Sequence, residues 1–154
     1  MPGLWFEQFE VGQLFNHSIT RTVTEMDNIL FSTLTMNPQP LHIDFHFASK
    51  TEFARPLVNS LFTLGLMIGI SVYDTTLGTT IANLGMTDVR FPAPVFHGDT
   101  LHVRTVVKAL RASASRPNRG IVTFEHCATN QDGIDVAICT RVALMRRAPA
   151  EGAA

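Results

Sequence analysis

The second half of the chain alternates. In Leu101-His102-Val103-Arg104-Thr105-Val106-Val107-Lys108-Ala109 the odd positions form one largely apolar face, the period-two signature of a half-buried strand. Residues 80–91 read as the strand before it, closed by Pro92-Ala93-Pro94 and a turn at His97-Gly98-Asp99. Arg116-Pro117-Asn118-Arg119-Gly120 is the next turn. Two further strands, 121–129 and 134–146, flank Asn130-Gln131-Asp132-Gly133, whose Asp-Gly pair is a strong hairpin signal. The first half is less regular. Residues 13–23 are rich in β-formers and predict a strand. Thr24 before Glu25-Met26-Asp27 is an N-cap with acids in the first turn, which predicts a helix over 25–34. Across residues 36–42 two prolines remove donors and exclude regular structure; a short helix is expected over 45–53. Residues 61–72 are apolar nearly all round, which predicts a buried central helix with Asn59 or Ser60 as its cap. Gly65 and Gly69 would let another element approach that helix closely. The predicted fold is α+β, a curved antiparallel sheet wrapped around the central hydrophobic helix.

Composition narrows the class. At 154 residues the chain is one domain, large enough to fold without a disulfide or metal staple. Residues 1–147 are read as that domain and 148–154 as a loose tail. Apolar residues make up 45% and charged residues 16%. The charged share lies below the ~25% usual in soluble domains. This excludes disorder and points to surface hidden in an oligomer. Twelve Lys+Arg against thirteen Asp+Glu leave a net charge of -1, so nothing marks a nucleic-acid or polybasic membrane binder. Cys127 and Cys139 have no CxxC spacing, and the start lacks the basic and apolar regions of a secretory signal. The best apolar run, 57–72, is interrupted by Asn59, Ser60 and Thr63 and is shorter than the ~20 residues of a membrane span. A cytoplasmic domain is expected.

Two places hold candidate chemistry. Asn37-Pro38-Gln39-Pro40-Leu41-His42-Ile43-Asp44 is polar and proline-stiffened between two helices. One reading is a rigid loop with His42 at its surface. The other uses His42 to exchange protons near neutral pH and Asn37 to hold a water by hydrogen bonding. Asp44 either orients His42 or caps the following helix. At the start of the central helix, the N–H groups of Ser60 and Leu61 are either part of a plain cap or donors for a developing oxyanion. Arg55 and Arg90 either meet phosphates or a carboxylate, or are simply solvated. His46, His97, His102 and His126 show no metal-ligand spacing and read as surface or strand residues. The two cysteines read as small buried hydrophobes.

Three stretches carry a resemblance. Residues 37–48 (NPQPLHIDFHFA) resemble the hydratase motif of the MaoC-like, (R)-specific enoyl-CoA hydratases, Asp-x-Asn-Pro-Leu-His-x-Asp. Phe53-Ala54-Arg55-Pro56-Leu57-Val58-Asn59-Ser60-Leu61 resembles that family's lead-in to its central helix. Phe91-Pro92-Ala93-Pro94-Val95-Phe96-His97-Gly98-Asp99-Thr100-Leu101 is similar to its F-x-x-P-V-x-x-G-D-T-L turn. The order and spacing match over nearly the whole chain. The resemblance implies a hotdog fold that dimerises through its sheets. It departs where the family's catalytic Asp becomes Asn37, its Asn becomes Gln39, and the His-Gly before the helix becomes Asn59-Ser60; the catalytic His is retained as His42. The Met-Asn-Pro-Gln-Pro-Leu-His-x-Asp wording resembles a subgroup acting on branched, carboxylated esters such as mesaconyl-CoA or itaconyl-CoA.

The implied function is reversible hydration of a short enoyl-CoA thioester. His42 would be the acid/base, Asn37 the holder of water and Ser60 the oxyanion site. Asp44, Arg55, Asn59 and Leu61 would meet the substrate. The partners expected are an acyl-CoA and a second copy of the chain, with no nucleic acid or membrane, and no metal or other cofactor. The alternatives are a hotdog thioesterase and a non-catalytic acyl-CoA-binding subunit.

Overall fold

The computed structural model describes residues 3–149. The expected strand over 13–23 is two short ones, β1 (Leu14–Asn16) and β2 (Arg21–Thr22). Both pair with the same strand, but Asn16 lies opposite Arg104 and Arg21 opposite Leu101. The chain therefore takes five steps where its partner takes three, and the ladder must break between them. Helix α1 (Glu25–Leu34) starts where predicted. Thr24 Oγ1 accepts the Asp27 N–H, and Asp27 returns the bond to the Thr24 N–H, a reciprocal cap.

The proline loop holds more structure than expected. Residues 40–43 form a one-turn helix, α2 (Pro40–Ile43). Pro40 was read as a breaker, yet at the first helical position its missing N–H is no loss and its fixed φ suits the helix. The helix expected over 45–53 is confined to α3 (Phe45–Ala48), followed by turns up to Ala54, which has φ 56°. The central helix is α4 (Ser60–Thr75), capped by Asn59.

The rest is sheet: β3 (Thr80–Arg90), β4 (Thr100–Ala112), β5 (Arg119–Thr129) and β6 (Asp135–Arg146), all paired antiparallel in the order β1-β4-β5-β6-β3, with β2 also on β4. The Asn130 side-chain oxygen accepts the Asp132 and Ile134 N–H groups, and Gly133 takes φ 75°, closing the predicted hairpin. On β4 the alternation holds as read, since Leu101, Val103, Thr105 and Val107 are all buried.

Helix α4 lies across β4, β5 and β6. Its Met67 and Ile70 join Leu101, Val103 and Ala137 in one core cluster. A second cluster, around Phe9, Val107, Phe124 and Met145, is closed by the N-terminal segment. There the Phe6 ring lies where a side chain on residue 120 would have to go, so glycine is required.

Two expectations change. Helix α4 is one-sided rather than buried all round: Leu61 and Tyr73 remain 58% and 61% exposed. A Cβ on Gly65 or Gly69 would meet nothing within 4 Å, so no element among the described residues approaches there. Most of the apolar content of 101–109 and 134–146 faces this chain's own core. Strand β3 is one edge of the sheet, and its Leu84 and Val89 are exposed. Of the tail read as loose, Ala148 bonds Glu7, as Arg147 before it does, and residues 150–154 lie outside the described residues. No helix of the described residues is long and apolar enough to cross a membrane.

Candidate active site

Helix α1 carries its polar residues inward. Asn28 and Ser32, one turn apart, are fully buried, whereas Met26, Leu30 and Leu34 are exposed. Beyond α1 the chain reverses at Met36, with φ 55°. The Asn37 N–H then donates to the Ser32 carbonyl, and the Asn37 Oδ1 accepts the Gln39 N–H at 3.1 Å. With its oxygen engaged, the free end of the Asn37 amide is Nδ2, which only donates. It can hold the oxygen of a water or a ligand, and it cannot take a proton.

His42 sits on α2 with its Nδ1 2.7 Å from the Leu57 carbonyl oxygen. A carbonyl only accepts, so Nδ1 carries the hydrogen and the neutral ring presents a bare lone pair at Nε2. That is the form a general base needs. The Leu57 N–H donates to the Leu41 carbonyl, so the two segments are tied in both directions.

One residue not singled out from the sequence joins these pieces. The Asn28 Nδ2 lies 3.0 Å from the His42 carbonyl, 3.1 Å from the Leu57 carbonyl and 3.0 Å from His97 Nε2. Its Oδ1 accepts the Asn59 N–H at 2.8 Å. A single buried amide thus binds the His42 turn, the carbonyl that orients His42, and the cap of α4. The available signal was a polar pair, Asn28 and Ser32, at helical spacing beside an apolar stripe. His97, read as a surface or strand residue, is part of this network; desolvation lowers its pKa, partly opposed by Glu25. Because the Asn28 Nδ2 only donates, the His97 Nε2 accepts, as the neutral ring favoured by that shift can.

At the start of α4, the Asn59 Oδ1 accepts the Leu61 N–H at 3.0 Å. This removes Leu61 from the pair of expected oxyanion donors. The Ser60 N–H makes no hydrogen bond among the described residues, and Ser60 lines a cleft of about 230 Å³ with Phe53, Leu57, Thr63, Pro92 and Val95. Asn37 and His42 do not line that cleft; His42 reaches it through Leu57. The Asp44 Oδ1 accepts the Phe47 N–H and so caps α3. Arg55 stacks over Phe96 at 3.8 Å and borders a separate hollow with Phe45 and His97. Arg90 lies away from these groups, beside Arg104 and Glu125. Cys127 and Cys139 are both buried; burial, with a hydrogen bond to Asp135, pushes the Cys127 thiol up to about 12. No group of three or more His, Cys, Asp or Glu among the described residues is placed to hold a metal.

The MaoC like domain model matches residues 7–129. The chain belongs to the MaoC-like family. It is 35% identical over 130 residues to the β-methylmalyl-CoA dehydratase of Chloroflexus aurantiacus, covering 84% of this chain and 36% of that one. It is 29% identical over 145 residues to the mesaconyl-CoA hydratase of Cereibacter sphaeroides, covering 94% of this chain and 42% of that one. The chain therefore spans well under half the length of these relatives. A Mycobacterium tuberculosis protein with a double hotdog fold superposes with a TM-score of 0.86 at 24% identity, over 96% of this chain and 45% of that one. The expected hotdog fold is the observed one, and this chain corresponds to one of its two units.

Proposed function

We propose that the protein reversibly adds water across the α,β double bond of a short, branched or carboxylated enoyl-CoA thioester. The observation that carries this reading is His42, held through Nδ1 by the Leu57 carbonyl at 2.7 Å with Nε2 left as a base. His42 Nε2 takes a proton from water as the water oxygen bonds to the β-carbon. The π electrons move towards the thioester oxygen, where the Ser60 N–H at the α4 terminus opposes the developing charge. His42 then returns its proton to the α-carbon. Asn37 Nδ2 donates to the water oxygen and takes no proton. Leu61 and Arg55 border the approach of the thioester, and Asp44 and Asn59 act through the turns they cap. The chemistry requires no redox step and no external electron carrier.

The substrate class rests on the names of the two relatives and on Asn37, whose neutral amide leaves room for an anionic acyl group where a carboxylate would repel it. The expected assembly is a homodimer through the open β3 edge and the uncovered, glycine-bearing face of α4. The test follows a panel of enoyl-CoA esters, straight-chain to carboxylated, by loss of enoyl absorbance and by release of free CoA. Loss of absorbance without CoA release is the expected result. CoA release at the same rate would make the protein a thioesterase, and neither signal would make it an acyl-CoA-binding subunit.

A further inference from the structure

A second line of buried polar groups crosses the inner face of the sheet, apart from His42. His17, 7% exposed, is bonded at both ring nitrogens: Nδ1 lies 2.8 Å from Asp74 Oδ2, and Nε2 lies 2.8 Å from Thr105 Oγ1. Thr105 Oγ1 is also 2.8 Å from Nδ1 of the fully buried His126. There the line stops. His126 Nε2 has no partner among the described residues, and neither have Nε and Nη2 of the neighbouring Arg141. Arg141 is 5% exposed, and no ion pair to it exists among the described residues. It has the Phe124 ring at 5.4 Å, which supplies some cation–π attraction but no hydrogen-bond acceptor.

A guanidinium stays charged when buried, and a buried charge with no counter-charge is strongly unfavourable. Two unsatisfied guanidinium nitrogens therefore mark a place for an acceptor that the described chain does not supply. A carboxylate, with two oxygens matched to the planar fork, fits that requirement best.

We propose that Arg141 and His126 form an internal carboxylate site, and that Asp74, His17 and Thr105 are the proton wire that adapts it to its ligand. The hydrogen bonds dictate how the wire works. The Asp74 carboxylate accepts, so His17 Nδ1 carries a hydrogen. With His17 neutral, its Nε2 accepts from the Thr105 hydroxyl, whose oxygen accepts from His126 Nδ1–H, and His126 Nε2 is a bare lone pair. That lone pair would repel a carboxylate. A proton arriving at His126 Nε2 is relayed: the Nδ1 proton passes to Thr105 Oγ1, and the hydroxyl proton passes to His17 Nε2. His126 ends neutral with Nε2–H as a donor, and the positive charge rests on His17 beside Asp74. Arg141 and His126 then present donors only. The charged and titratable groups around the wire are Asp74 on α4, His17 between β1 and β2, His126 on β5, and Arg141 and Cys139 on β6; burial keeps the Cys139 thiol protonated. Binding of one carboxylate thus takes up one proton.

The carboxylate comes either from a free ion or from the far end of a dicarboxylic acyl-CoA; the second source rests on the hydratase reading above. The test titrates acetate into the whole protein, without any thioester, following thermal stability and heats in two buffers of different ionisation enthalpy. Saturable stabilisation is expected, with uptake of one proton per acetate and affinity falling as pH rises. Arg141→Gln should abolish it. Asp74→Asn, at a half-exposed position, should keep the site but suppress the proton uptake. No saturable effect in the parent, or an effect retained in Arg141→Gln, overturns the site. If Arg141→Gln does not fold, Asp74→Asn decides: unchanged proton uptake overturns the proposal, and lost uptake with acetate still bound supports it. Kinetics then assign the source. A rise of about tenfold or more in KM for a dicarboxylic enoyl-CoA alone, in Arg141→Gln, places the acyl carboxylate there. Equal KM values place a free ion there. Failure of the parent to hydrate any thioester removes the hydratase reading and leaves the acetate result standing.

Discussion

Two buried polar networks share this fold, and they end differently. The one centred on Asn28 closes: the two amide hydrogens of one helix residue are shared among two carbonyls and a histidine nitrogen, and its oxygen accepts the Asn59 N–H that leads into α4. The one running from Asp74 through His17 and Thr105 to His126 is open, because it stops at unsatisfied nitrogens of His126 and Arg141. A closed network fixes geometry, which a general base needs. An open one keeps capacity for a group from outside. The first serves position and the second serves binding, though both are built from the same few residue types.

The largest effect is expected at the reacting end of the closed network. His42→Ala removes the base and should lower hydration by about 10²–10⁴-fold, the scale of a positioned acid/base. The urea midpoint should change little, because His42 is only half-buried. Activity within a few-fold of the parent would remove His42 from the mechanism.

The hub should come next. Asn28→Ala leaves the Asn59 N–H and its carbonyl neighbours without a partner, at about 1–3 kcal/mol for a buried group left unsatisfied. Asn28→Asp should be worse at neutral pH. A carboxylate still accepts from the Asn59 N–H but offers no hydrogen to the acceptors facing Nδ2. Urea unfolding ranks the three proteins, and an Asn28→Asp variant as stable as the parent would show that the donor side of Asn28 does no structural work.

The open network should show itself in pH dependence. Burial, reinforced by the charge of Arg141 and by the repulsion His17 exerts whenever it is protonated, lowers the His126 pKa to about 3 from an ordinary value of 6.5. The unfolded chain therefore binds more protons at this residue between those values. Stability from this source is full above about pH 6.5 and falls as the pH drops towards 3, by up to about 1.4 kcal/mol per pH unit. Urea midpoints in carboxylate-free buffers should show the slope in the parent and a shallower one in His126→Asn. Matching slopes would show that His126 does not titrate in this way.

The smallest effect belongs to Asn37. Its Oδ1 holds the loop through the Gln39 N–H, and its Nδ2 only donates. Asn37→Ala should lower hydration by less than His42→Ala, on the order of a single hydrogen bond. A loss as large as that of His42→Ala would give Asn37 a proton-transfer role its amide cannot perform.

The regular half of the molecule was legible because its signals are local. Alternation along 101–109 and Asp132-Gly133 at the hairpin specify strands without knowledge of their partners. Thr24 and Asp27 announce the start of α1 in the same way. The site was half-legible: His42 and the α4 cap stand in recognisable local patterns. Asn28, His17 and Arg141 do not, because their roles exist only through residues 14 to 88 positions away. Pro40 misled for the opposite reason, since a proline ends one helix and begins another, and only the surrounding backbone decides which. Helix α4 misled through composition, because apolar side chains all round predict a fully covered helix, whereas Leu61 and Tyr73 are left exposed among the described residues.

In the proposed mechanism a single group, His42, moves the proton in both directions, with Asn37 in the place of a second acid. The direct measurement is the pH dependence of kcat/KM for hydration by the parent protein, with a neutral crotonyl-type thioester so that substrate charge does not intervene. One ionisation limb is predicted, lost in His42→Ala, with a second, acidic limb appearing in Asn37→Asp. A two-limbed bell in the parent would contradict the claim, since it would require a second titrating group in the step assigned to His42 alone.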